Sequence, residues 1–478
     1  MVTTLEDPGA AELAAFLRQY PAFADTRALD ELRATQFSRV DAQGHIYLDY
    51  TGGGLYAESQ VRRHAEQLLT NVFGNPHSSN PTSLKASELV ETCRMHVLSY
   101  FNASPDEYTV IFTANASKAL KLVGESYPFD RDSTFLLTFD NHNSVNGIRE
   151  FARAHGAHTV YVPVLPPDLR AEDEVVGSFL GAIERGRPNL FAFPAQSNFS
   201  GVQHPLDWVD QAQALGWDVL LDAAAFVPTN RLDLGRVKPD YVVLSFYKMF
   251  GYPTGVGALL ARRPALEKLH RPWFAGGTIT VASVRADRHY LAPGPAAFEE
   301  GTQTYLTIPA VDIGLELIQS VGIDAIHARV ACLTGWLLDA LTSLQHDNGE
   351  PLIRLYGPAG KDRRGATLAF NFYDRVGRPI DHRLIERQAN REHISLRTGC
   401  FCNPGAGETA LGLSKGELDA CFVRSSRRMT FDDFRRCIDG KSTGAVRVSL
   451  GLASNFDDVR AMARFAEQFL EWGEDAED

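Results

Sequence analysis

Two short stretches decide the fold of this chain: Val219-Leu220-Leu221-Asp222 and Tyr241-Val242-Val243-Leu244-Ser245-Phe246-Tyr247-Lys248. Each begins with an apolar run of strand length, which is typical of strands buried on both faces of a parallel sheet. Polar side chains directly after such runs lie at the carboxyl ends of the strands, where α/β sheets bind their ligands. The two stretches therefore predict an α/β protein whose ligand site contains Asp222 and Lys248.

Further apolar runs extend this pattern along the chain. Segments with helical spacing, such as Ser144–His155, separate most of them. This alternation predicts a mostly parallel central sheet with helices on both faces. The other runs of the large sheet are Tyr108–Thr113, Thr134–Phe139, Val160–Val164, Leu190–Phe193 and Val256–Leu260, and later strands are expected at Thr367–Phe372 and Ala445–Leu450.

The pattern divides the chain into four parts. Residues 1–45 are polar with mostly helical spacing, and we expect them to pack on the smaller domain. Residues 46–305 carry the alternating strands and helices of a large α/β domain. Residues 306–470 are expected to form a smaller α+β domain, and residues 471–478 an acidic tail.

Composition limits the functions that the chain can have. Of its 478 residues, 44% are hydrophobic and 22% are charged, as in ordinary globular proteins. A net charge of −12 argues against a nucleic acid or an anionic membrane as the main partner. No apolar run approaches the roughly 20 residues that span a bilayer, and six cysteines do not make a disulfide scaffold in a chain this long. We expect a cytoplasmic protein without a metal site.

A candidate phosphate cradle lies at Asn115, Ala116 and Ser117. There a predicted strand leads through small residues into a predicted helix. The first amide groups of a helix have no partner within it, and together with the helix dipole they attract anions. An ordinary capped helix start explains the same residues equally well.

Asp222, Lys248 and His142 are the other candidates for chemistry. A carboxylate surrounded by alanines is costly to desolvate unless a cation, such as a protonated pyridine nitrogen, meets it. Burial lowers the pKa of a lysine and favours its condensation with a carbonyl group. His142 could stack on a flat ring. The alternatives are a helix-capping aspartate, a surface lysine and a loop histidine, and Lys118 and Lys121 compete for the role of Lys248.

These residues together match the needs of pyridoxal phosphate. That cofactor requires a phosphate site, a partner for its ring, an anion at the pyridine nitrogen and an amine for its aldehyde. The candidates occur along the chain as the cradle, the histidine, Asp222 and Lys248. The combination is a much stronger indication than any of its members.

The chain resembles the class V, cysteine desulfurase-like branch of the pyridoxal-phosphate enzymes of fold type I. The resemblance rests mainly on Ser245–Gly257 and on the Arg-Thr-Gly-Cys-Phe-Cys-Asn-Pro-Gly run of Arg397–Gly405, and it extends from about Phe37 to Phe469. Within that branch the chain is most similar to the N-terminal domain of molybdenum-cofactor sulfurases. The fold implied is a large α/β domain with a smaller C-terminal domain.

The resemblance also implies a role for each candidate residue. Lys248 would bind the cofactor aldehyde, Asp222 would pair with the ring nitrogen, and His142 would stack on the ring. Thr302 would reach the phosphate of a second subunit, which implies a homodimer. The remaining cofactor contacts implied are Asn115, Ala116, Ser117 and Ser245 at the phosphate and Asn198 near the ring hydroxyl.

Cys402 matches the family's nucleophilic cysteine. The reaction implied removes sulfur from L-cysteine, leaving alanine and a persulfide on Cys402 for transfer to a sulfur-acceptor protein. Arg447 matches the arginine that binds the substrate carboxylate, for which its planar guanidinium is suited. Arg397 lies five residues before Cys402 and could stabilise its thiolate or serve the substrate.

The segment Tyr50-Thr51-Gly52-Gly53-Gly54 departs from the His-Ala-Gly-Ala-Thr-like family pattern and leaves the substrate and the sulfur acceptor open. Two further departures lie at candidate cofactor positions. Tyr247 stands where desulfurases commonly carry histidine, and Ala225 stands where they carry a glutamine that reaches the ring hydroxyl. One alternative is a C–S lyase or tailoring enzyme that acts on another cysteine-derived or amino-acid substrate. The other is a sulfur-relay or scaffold partner without catalytic activity.

Overall fold

A computed structural model of the chain describes residues 8–183, 186–424, 429, 433 and 444–472. Of the predicted acidic tail, residues 473–478 lie outside the described residues. The strands are β1 Ile46–Tyr47, β2 Tyr108–Thr113, β3 Thr134–Thr138, β4 His158–Val162, β5 Leu190–Pro194, β6 Asp218–Asp222, β7 Tyr241–Ser245, β8 Gly257–Arg262, β9 Ile279–Ser283, β10 Arg288–Leu291, β11 Ile353–Tyr356, β12 Thr367–Phe372, β13 Ile394–Ser395, β14 Arg397–Gly399 and β15 Ala445–Ser449.

Within the described residues, helices lie between most of these strands, before the first strand and after the last. Three short 3₁₀ helices, Pro21–Thr26, Gly294–Phe298 and Gln468–Glu471, accompany them. The α-helices are α1 Pro8–Gln19, α2 Ala28–Gln36, α3 Ser38–Ala42, α4 Glu58–Leu69, α5 Pro81–Tyr100, α6 Ala116–Ser126, α7 Asn143–Asn146, α8 Ile148–Ala154, α9 Asp173–Gly181, α10 Trp208–Ala214, α11 Phe246–Phe250, α12 Arg263–Leu266, α13 Pro309–Val321, α14 Ile323–Thr342, α15 His382–Arg391, α16 Pro404–Ala410, α17 Lys415–Arg424 and α18 Phe456–Glu467.

The central sheet has seven strands in the order β2-β8-β7-β6-β5-β3-β4. The pairs β7·β6, β6·β5, β5·β3 and β3·β4 are parallel, which confirms the mostly parallel sheet predicted from the sequence. Strand β8 is antiparallel to both of its neighbours. The connection from β7 to β8 contains only α11 and a turn, whereas a parallel crossover needs about a dozen residues or more.

The middle strands of this sheet are buried on both faces. In β5, Phe191 and Phe193 belong to the apolar cluster on one face, whereas Leu190 and Ala192 belong to the cluster on the other. All four side chains are 0% exposed. Burial of a large apolar side chain stabilises the fold by about 1.5–3 kcal/mol, so the sheet is a rigid base for the residues at its edge.

A second sheet of four antiparallel strands, in the order β11-β12-β15-β14, lies in the C-terminal part. Its register places Arg447 between Ala369 and Arg397. The N-terminal segment contacts this half of the chain, since β1 pairs with β13 and Arg33 forms a buried ion pair of 2.5 Å with Asp458.

Within the described ranges, no single helix is long and apolar enough to cross a bilayer. Helices α13 and α14 meet the length and composition criteria only together, as a pair bent by 69°.

Candidate active site

A cavity of about 380 Å³ lies at the carboxyl ends of β5, β6 and β7. Residues that follow β2 and β3 also line it, so five strand ends contribute to one site. Parallel strands place their carboxyl ends at one edge, and this explains why residues distant in sequence meet. The sequence-predicted residues that line the cavity are Asn115, Ala116, Ser117, His142, Asn198, Asp222, Ser245 and Lys248.

The N-terminus of α6 forms one wall of the cavity. The Ala116 amide donates a hydrogen bond of 3.1 Å to Ser245 Oγ, and Asn115 caps the helix by accepting from the Lys118 amide at 2.9 Å. A Cβ on Gly257 would lie 2.6 Å from the Asn115 carbonyl carbon, so glycine is required for this close approach. The wall combines small side chains with a helix N-terminus, which suits an anion.

Asp222 and Lys248 follow adjacent strands. The Asp222 carboxylate is 9% exposed and accepts a hydrogen bond of 3.0 Å from the Ala224 amide. Burial lowers the pKa of Lys248, although the Asp222 charge opposes this shift. An amine with a lowered pKa is unprotonated in a larger fraction of molecules and is therefore a better nucleophile.

The two competing lysines lie outside the cavity lining. Lys118 forms an ion pair of 2.9 Å with Glu300, and Lys121 pairs with Glu125 one helical turn away. Both are on α6. Of the three lysines considered from the sequence, Lys248 is the one that the structure places in the cavity.

A glycine turn fixes the end of the helix that carries Lys248. Gly251 has a φ of +76°, and a Cβ at this position would lie 2.4 Å from the Leu55 carbonyl carbon and from the Tyr56 amide nitrogen. Only glycine tolerates both the backbone conformation and the contact. The turn therefore holds α11 against the segment that precedes α4.

His142 caps α7 and faces the same cavity. Its Nδ1 accepts a hydrogen bond of 3.1 Å from the Ser144 amide, which leaves the proton of the neutral ring on Nε2. Burial lowers the pKa of His142, the Asp222 charge raises it, and Lys248 and Arg447 lower it further. The ring is consequently neutral near pH 7 and can present a flat face to a ligand.

Arg397 and Arg447 converge on Asp49. The Asp49 carboxylate accepts from Arg397 Nη2 at 2.5 Å and from Arg447 Nη2 at 2.9 Å. Arg447 Nη1 donates to the Asn198 carbonyl oxygen at 2.9 Å, and so connects this charge cluster to the cavity. Arg447 is buried, and its Nε has no hydrogen-bond partner within the described part of the chain.

Asp49 was not recognised from the sequence as part of the site. It lies 348 residues from Arg397 and 398 from Arg447, so no local pattern connects them. One signal was present in Gly52, where a Cβ would lie 2.4 Å from an Asp49 carboxylate oxygen. Only glycine, which lacks a Cβ, allows the backbone three residues after Asp49 to approach the carboxylate this closely.

Cys402 is exposed and does not line the cavity, although its neighbours Phe401 and Asn403 are buried. Phe401 and Cys402 have φ values of +54° and +56°, in the left-handed region. The loop is held by two hydrogen bonds of 2.7 Å, one from Asn198 Nδ2 to the Phe401 carbonyl oxygen and one from the Asn143 amide to the Cys402 carbonyl oxygen. Asn403 Nδ2 adds a bond of 2.9 Å to Asn198 Oδ1.

The Cys402 thiol lies within electrostatic range of two cations. Its negative form raises the pKa of both Arg397 and Arg447, although larger effects set the direction of each overall shift. Cys400 is also exposed and is a free thiol, whereas Cys421 is disulfide-bonded. Two positive side chains, Arg397 and Arg447, therefore lie near the Cys402 sulfur.

Thr302 lies outside the cavity of its own chain. It is exposed, and its Oγ1 accepts a hydrogen bond of 3.4 Å from Asn75 Nδ2. Its action across a homodimer therefore stays a prediction.

Tyr247 and Ala225, two of the departures from the family pattern, both line the cavity. Burial raises the pKa of Tyr247, and its ring packs 3.5 Å from the position that a Cβ on Gly53 would take. Ala225 and Lys248 also line a smaller space of about 20 Å³ behind the main cavity. In the described residues, no group of three or more His, Cys, Asp or Glu side chains is arranged to hold a metal ion.

Comparison with known proteins gives a family and a set of relatives. Residues 46–462 match the family model described as aminotransferase class-V. The chain is 38% identical over 470 residues to the molybdenum cofactor sulfurase of Solanum lycopersicum, covering 92% of this chain and 57% of the relative. It thus spans little more than half the length of that curated relative.

Solved structures that share less than 25% sequence identity with this chain show its fold. A cysteine desulfurase from Thermococcus onnurineus superposes with a TM-score of 0.75 at 19% identity, covering 92% of this chain and 98% of the other. A cystine C–S lyase in complex with cysteine persulfide superposes with a TM-score of 0.66 at 18% identity, covering 89% and 98%. The fold predicted from the sequence, type I with a smaller C-terminal domain, is confirmed.

Proposed function

The chain belongs to the aminotransferase class-V family, whose members use pyridoxal phosphate, and from this we propose that it removes sulfur from L-cysteine with that cofactor. The observation that carries the proposal is the convergence of Lys248, Asp222, His142 and the N-terminus of α6 on one cavity. Its volume of about 380 Å³ is within the range of small-molecule sites.

The residues present fit the cofactor. The buried carboxylate of Asp222 has one hydrogen-bond donor, the Ala224 amide, among the described residues, and a second donor such as a pyridinium N–H would satisfy it. Lys248 supplies an amine with a lowered pKa, and His142 supplies a neutral ring. Asn115, Ala116, Ser117 and Ser245 would hold the phosphate, and Asn198 would lie near the ring hydroxyl. When bound, pyridoxal phosphate withdraws electrons from the substrate amino acid.

Arg447 and Arg397 would bind the substrate carboxylate. The buried and unpartnered Nε of Arg447 supports this role, because an anion that accepts from it would satisfy the group. Asp49 and the Asn198 carbonyl oxygen hold the other two nitrogens of Arg447 and so fix the plane of the guanidinium. A guanidinium that is already oriented loses little side-chain entropy when the substrate binds.

Cys402 would accept the sulfur. Its thiolate forms an S–S bond with the substrate sulfur as the Cβ–S bond of the substrate breaks. The electron pair of that bond stays on the carbon, which takes up a proton, so the products are L-alanine and a Cys402 persulfide. The exposure of Cys402 supports the proposal that the outer sulfur is then passed to an acceptor protein.

A C–S lyase activity is the second candidate. The observation in its favour is that Cys402 does not line the cavity, so chemistry at Lys248 could proceed without it. A lyase would release pyruvate instead of alanine, and it would not need the thiol.

We also propose that the chain acts as a homodimer. Gly301, next to Thr302, donates a hydrogen bond of 2.8 Å to the Gly276 carbonyl oxygen, close to the β9–β10 hairpin. Exposed apolar side chains on and beside this hairpin are typical of an interaction surface that a second subunit would cover. These side chains are Trp273 at 52% exposure, Val281 at 54%, Val284 at 99% and Tyr290 at 66%.

The decisive experiment compares Cys402→Ala with the matched control Cys400→Ala. Each cofactor-loaded variant is incubated with L-cysteine, alanine and pyruvate are quantified, and the protein is analysed by mass spectrometry. The proposal expects alanine and an added sulfur atom in wild type and in the control, and neither in Cys402→Ala. Pyruvate formation that survives in Cys402→Ala would establish the lyase. Alanine that forms at the wild-type rate in Cys402→Ala would refute the role of this thiol.

A further inference from the structure

Arg364 is a buried cation that the proposed reaction does not use. The residue is 7% exposed, and its Nη2 donates one long hydrogen bond of 3.3 Å to the Ser200 carbonyl oxygen. Its Nε and Nη1 are buried and have no hydrogen-bond partner within the residues that the structure describes. A buried guanidinium with two unpartnered nitrogens is costly, because each group has lost its water without replacement.

No carboxylate compensates this charge. Among the described residues Arg364 forms no ion pair, and the charged group that affects its pKa is another cation, Arg170. Burial, and to a lesser extent Arg170, lower the pKa of Arg364 to about 10. A group that costs this much to bury and has no internal partner is typical of a site for an external anion.

A second cavity, of about 60 Å³, is lined by Arg364. It lies between α14 and the segment before β12, and it is distinct from the main cavity, with which it shares no lining residue. A single water needs about 10–15 Å³, so the space admits an ion of several atoms. Lys361, Thr334 and His327 also line it.

Other donors surround the same space. Lys361 Nζ donates to Tyr20 Oη at 2.9 Å and is not in an ion pair among the described residues. Thr334 Oγ1 is buried and has no hydrogen-bond partner there. A Cβ on Gly335 would lie 2.6 Å from Lys361 Cε, so this glycine of α14 leaves room for the lysine side chain.

Nearby carboxylates have other partners. Asp339 accepts from Tyr20 Oη at 3.1 Å, and Asp173 accepts from Arg363 at 3.5 Å. His327 Nδ1 lies 3.1 Å from Asn230 Oδ1, to which it donates, so its ring contributes no negative charge. The cavity is therefore lined by more positive than negative charge.

We propose that this cavity is a binding site for a tetrahedral oxyanion, either a free phosphate-type ion or a phosphate monoester. Arg364 and Lys361 supply two cationic groups and Thr334 a hydroxyl donor, which suits an anion with three or more acceptor oxygens better than a planar carboxylate with two. The site does not depend on the proposed reaction.

Binding here would connect the two halves of the chain. Arg364 pairs with Val202, and the Gly365 amide donates to the Gly201 carbonyl oxygen at 2.8 Å. Gly201 lies three residues after Asn198, whose side chain holds the Cys402 loop. An anion bound to Arg364, Lys361 and Thr334 would therefore stabilise the loop that positions the candidate nucleophile.

The test is a thermal-unfolding titration of the cofactor-loaded enzyme with inorganic phosphate, against sodium chloride of equal ionic strength. A specific site stabilises the folded state by mass action, and we expect a saturable rise in melting temperature of about 1–3 °C with phosphate alone. Arg364→Gln should abolish this rise, and the matched control Arg363→Gln, one residue earlier and exposed, should retain it.

Further variants keep the test decisive if Arg364→Gln fails to fold. Thr334→Val preserves the shape of the side chain, and Lys361→Met preserves much of its length. Each should weaken phosphate binding about tenfold, as expected for the loss of a hydrogen bond to a charged group.

A second ligand distinguishes the two kinds of oxyanion. If phenyl phosphate raises the melting temperature as much as inorganic phosphate does, the site binds a phosphate monoester. If only inorganic phosphate raises the melting temperature, the site binds a free ion. The proposal is overturned if phosphate acts no more strongly than chloride, or if the rise persists in Arg364→Gln and Thr334→Val, since it would then come from another site such as the cradle at α6.

Discussion

Replacement of Asp49 by asparagine tests whether this carboxylate holds the two arginines of the candidate site. The asparagine would keep the size of the side chain and one acceptor oxygen but would lose the negative charge. Arg447, whose side chain is 3% exposed, would then be a buried cation without a counter-charge. Arg397 is half exposed, with a side-chain accessibility of 50%, so water would compensate most of its loss.

The expected loss of unfolding free energy follows from the exposed fractions of these two arginine side chains. Removal of one partner of a buried ion pair typically costs about 3–5 kcal/mol, whereas an exposed pair contributes about 0–1 kcal/mol. Because asparagine retains one hydrogen-bond acceptor, we expect a loss at the lower end, about 3 kcal/mol. With a urea dependence of about 3 kcal/mol per molar, the unfolding midpoint would fall by about 1 M.

The assay is urea unfolding of the cofactor-free protein, so that ligand binding does not contribute to the measured stability. Asp324→Asn is the matched control, because it breaks an exposed ion pair with Arg231 of 2.7 Å and should shift the midpoint by no more than about 0.3 M. Adding Arg447→Met to Asp49→Asn should recover part of the loss by removing the uncompensated charge. A midpoint for Asp49→Asn equal to that of the control, or a double variant with fully additive losses, would refute the reasoning.

Three more predictions follow from the geometry of the site and its supports. Asp222→Asn should weaken pyridoxal phosphate about 10- to 100-fold in an absorbance titration, because a charged hydrogen bond becomes neutral, and unchanged affinity would contradict the proposed ring contact. Gly201→Ala should cost more than about 2 kcal/mol in urea unfolding, because φ is +77° and the new Cβ would lie 2.3 Å from the Thr367 carbonyl oxygen, whereas Gly216→Ala, with φ of +95° and open space, should cost about 1 kcal/mol. Burial lowers the pKa of His142 below 6.5, so the unfolded chain binds a proton that the folded chain does not, and stability should fall as the pH decreases through about 6.5. His142→Gln should make that decrease shallower in unfolding midpoints measured from about pH 7.5 to 5.5, and an unchanged slope would show that the ring is not buried as described.

The strands of the central sheet could be predicted from the sequence because each contains a continuous run of apolar residues. The predicted strand at Tyr108–Thr113 has the bounds observed for β2, and the run at Val219–Leu221 differs from β6 by one residue at each end. The polar residues after these strands line one cavity because parallel strands place their carboxyl ends at the same edge of the sheet. The predicted helical stretch Ser144–His155 is two helices, α7 and α8, which are divided at Gly147. A glycine inside a helical pattern is a weak signal of such a break.

The parts of the site that the sequence did not reveal depend on distant contacts. The pairing of Asp49 with Arg447 results from the isolated bridge between Asp49 and Ser449, which brings the first strand region beside β15. In the sequence, Arg364 is one of many arginines and nothing distinguishes it from those at the surface. The structure shows that it is buried and that its Nε and Nη1 have no hydrogen-bond partner among the described residues. A sequence motif identifies residues that bind a ligand of known chemistry. A charged residue whose role depends on its burial and on its partners can be identified only from the three-dimensional structure.

The left-handed backbone of Phe401 and Cys402 affects how easily the loop can leave its resting position. A residue other than glycine in this conformation costs about 1–2 kcal/mol, and the contacts with Asn143 and Asn198 offset that cost at both positions. When the loop detaches, the lost hydrogen bonds are partly compensated by relief of this strain. If Cys402 carries sulfur as proposed, it would move outward toward an acceptor at a smaller energetic cost than the number of broken contacts alone would indicate.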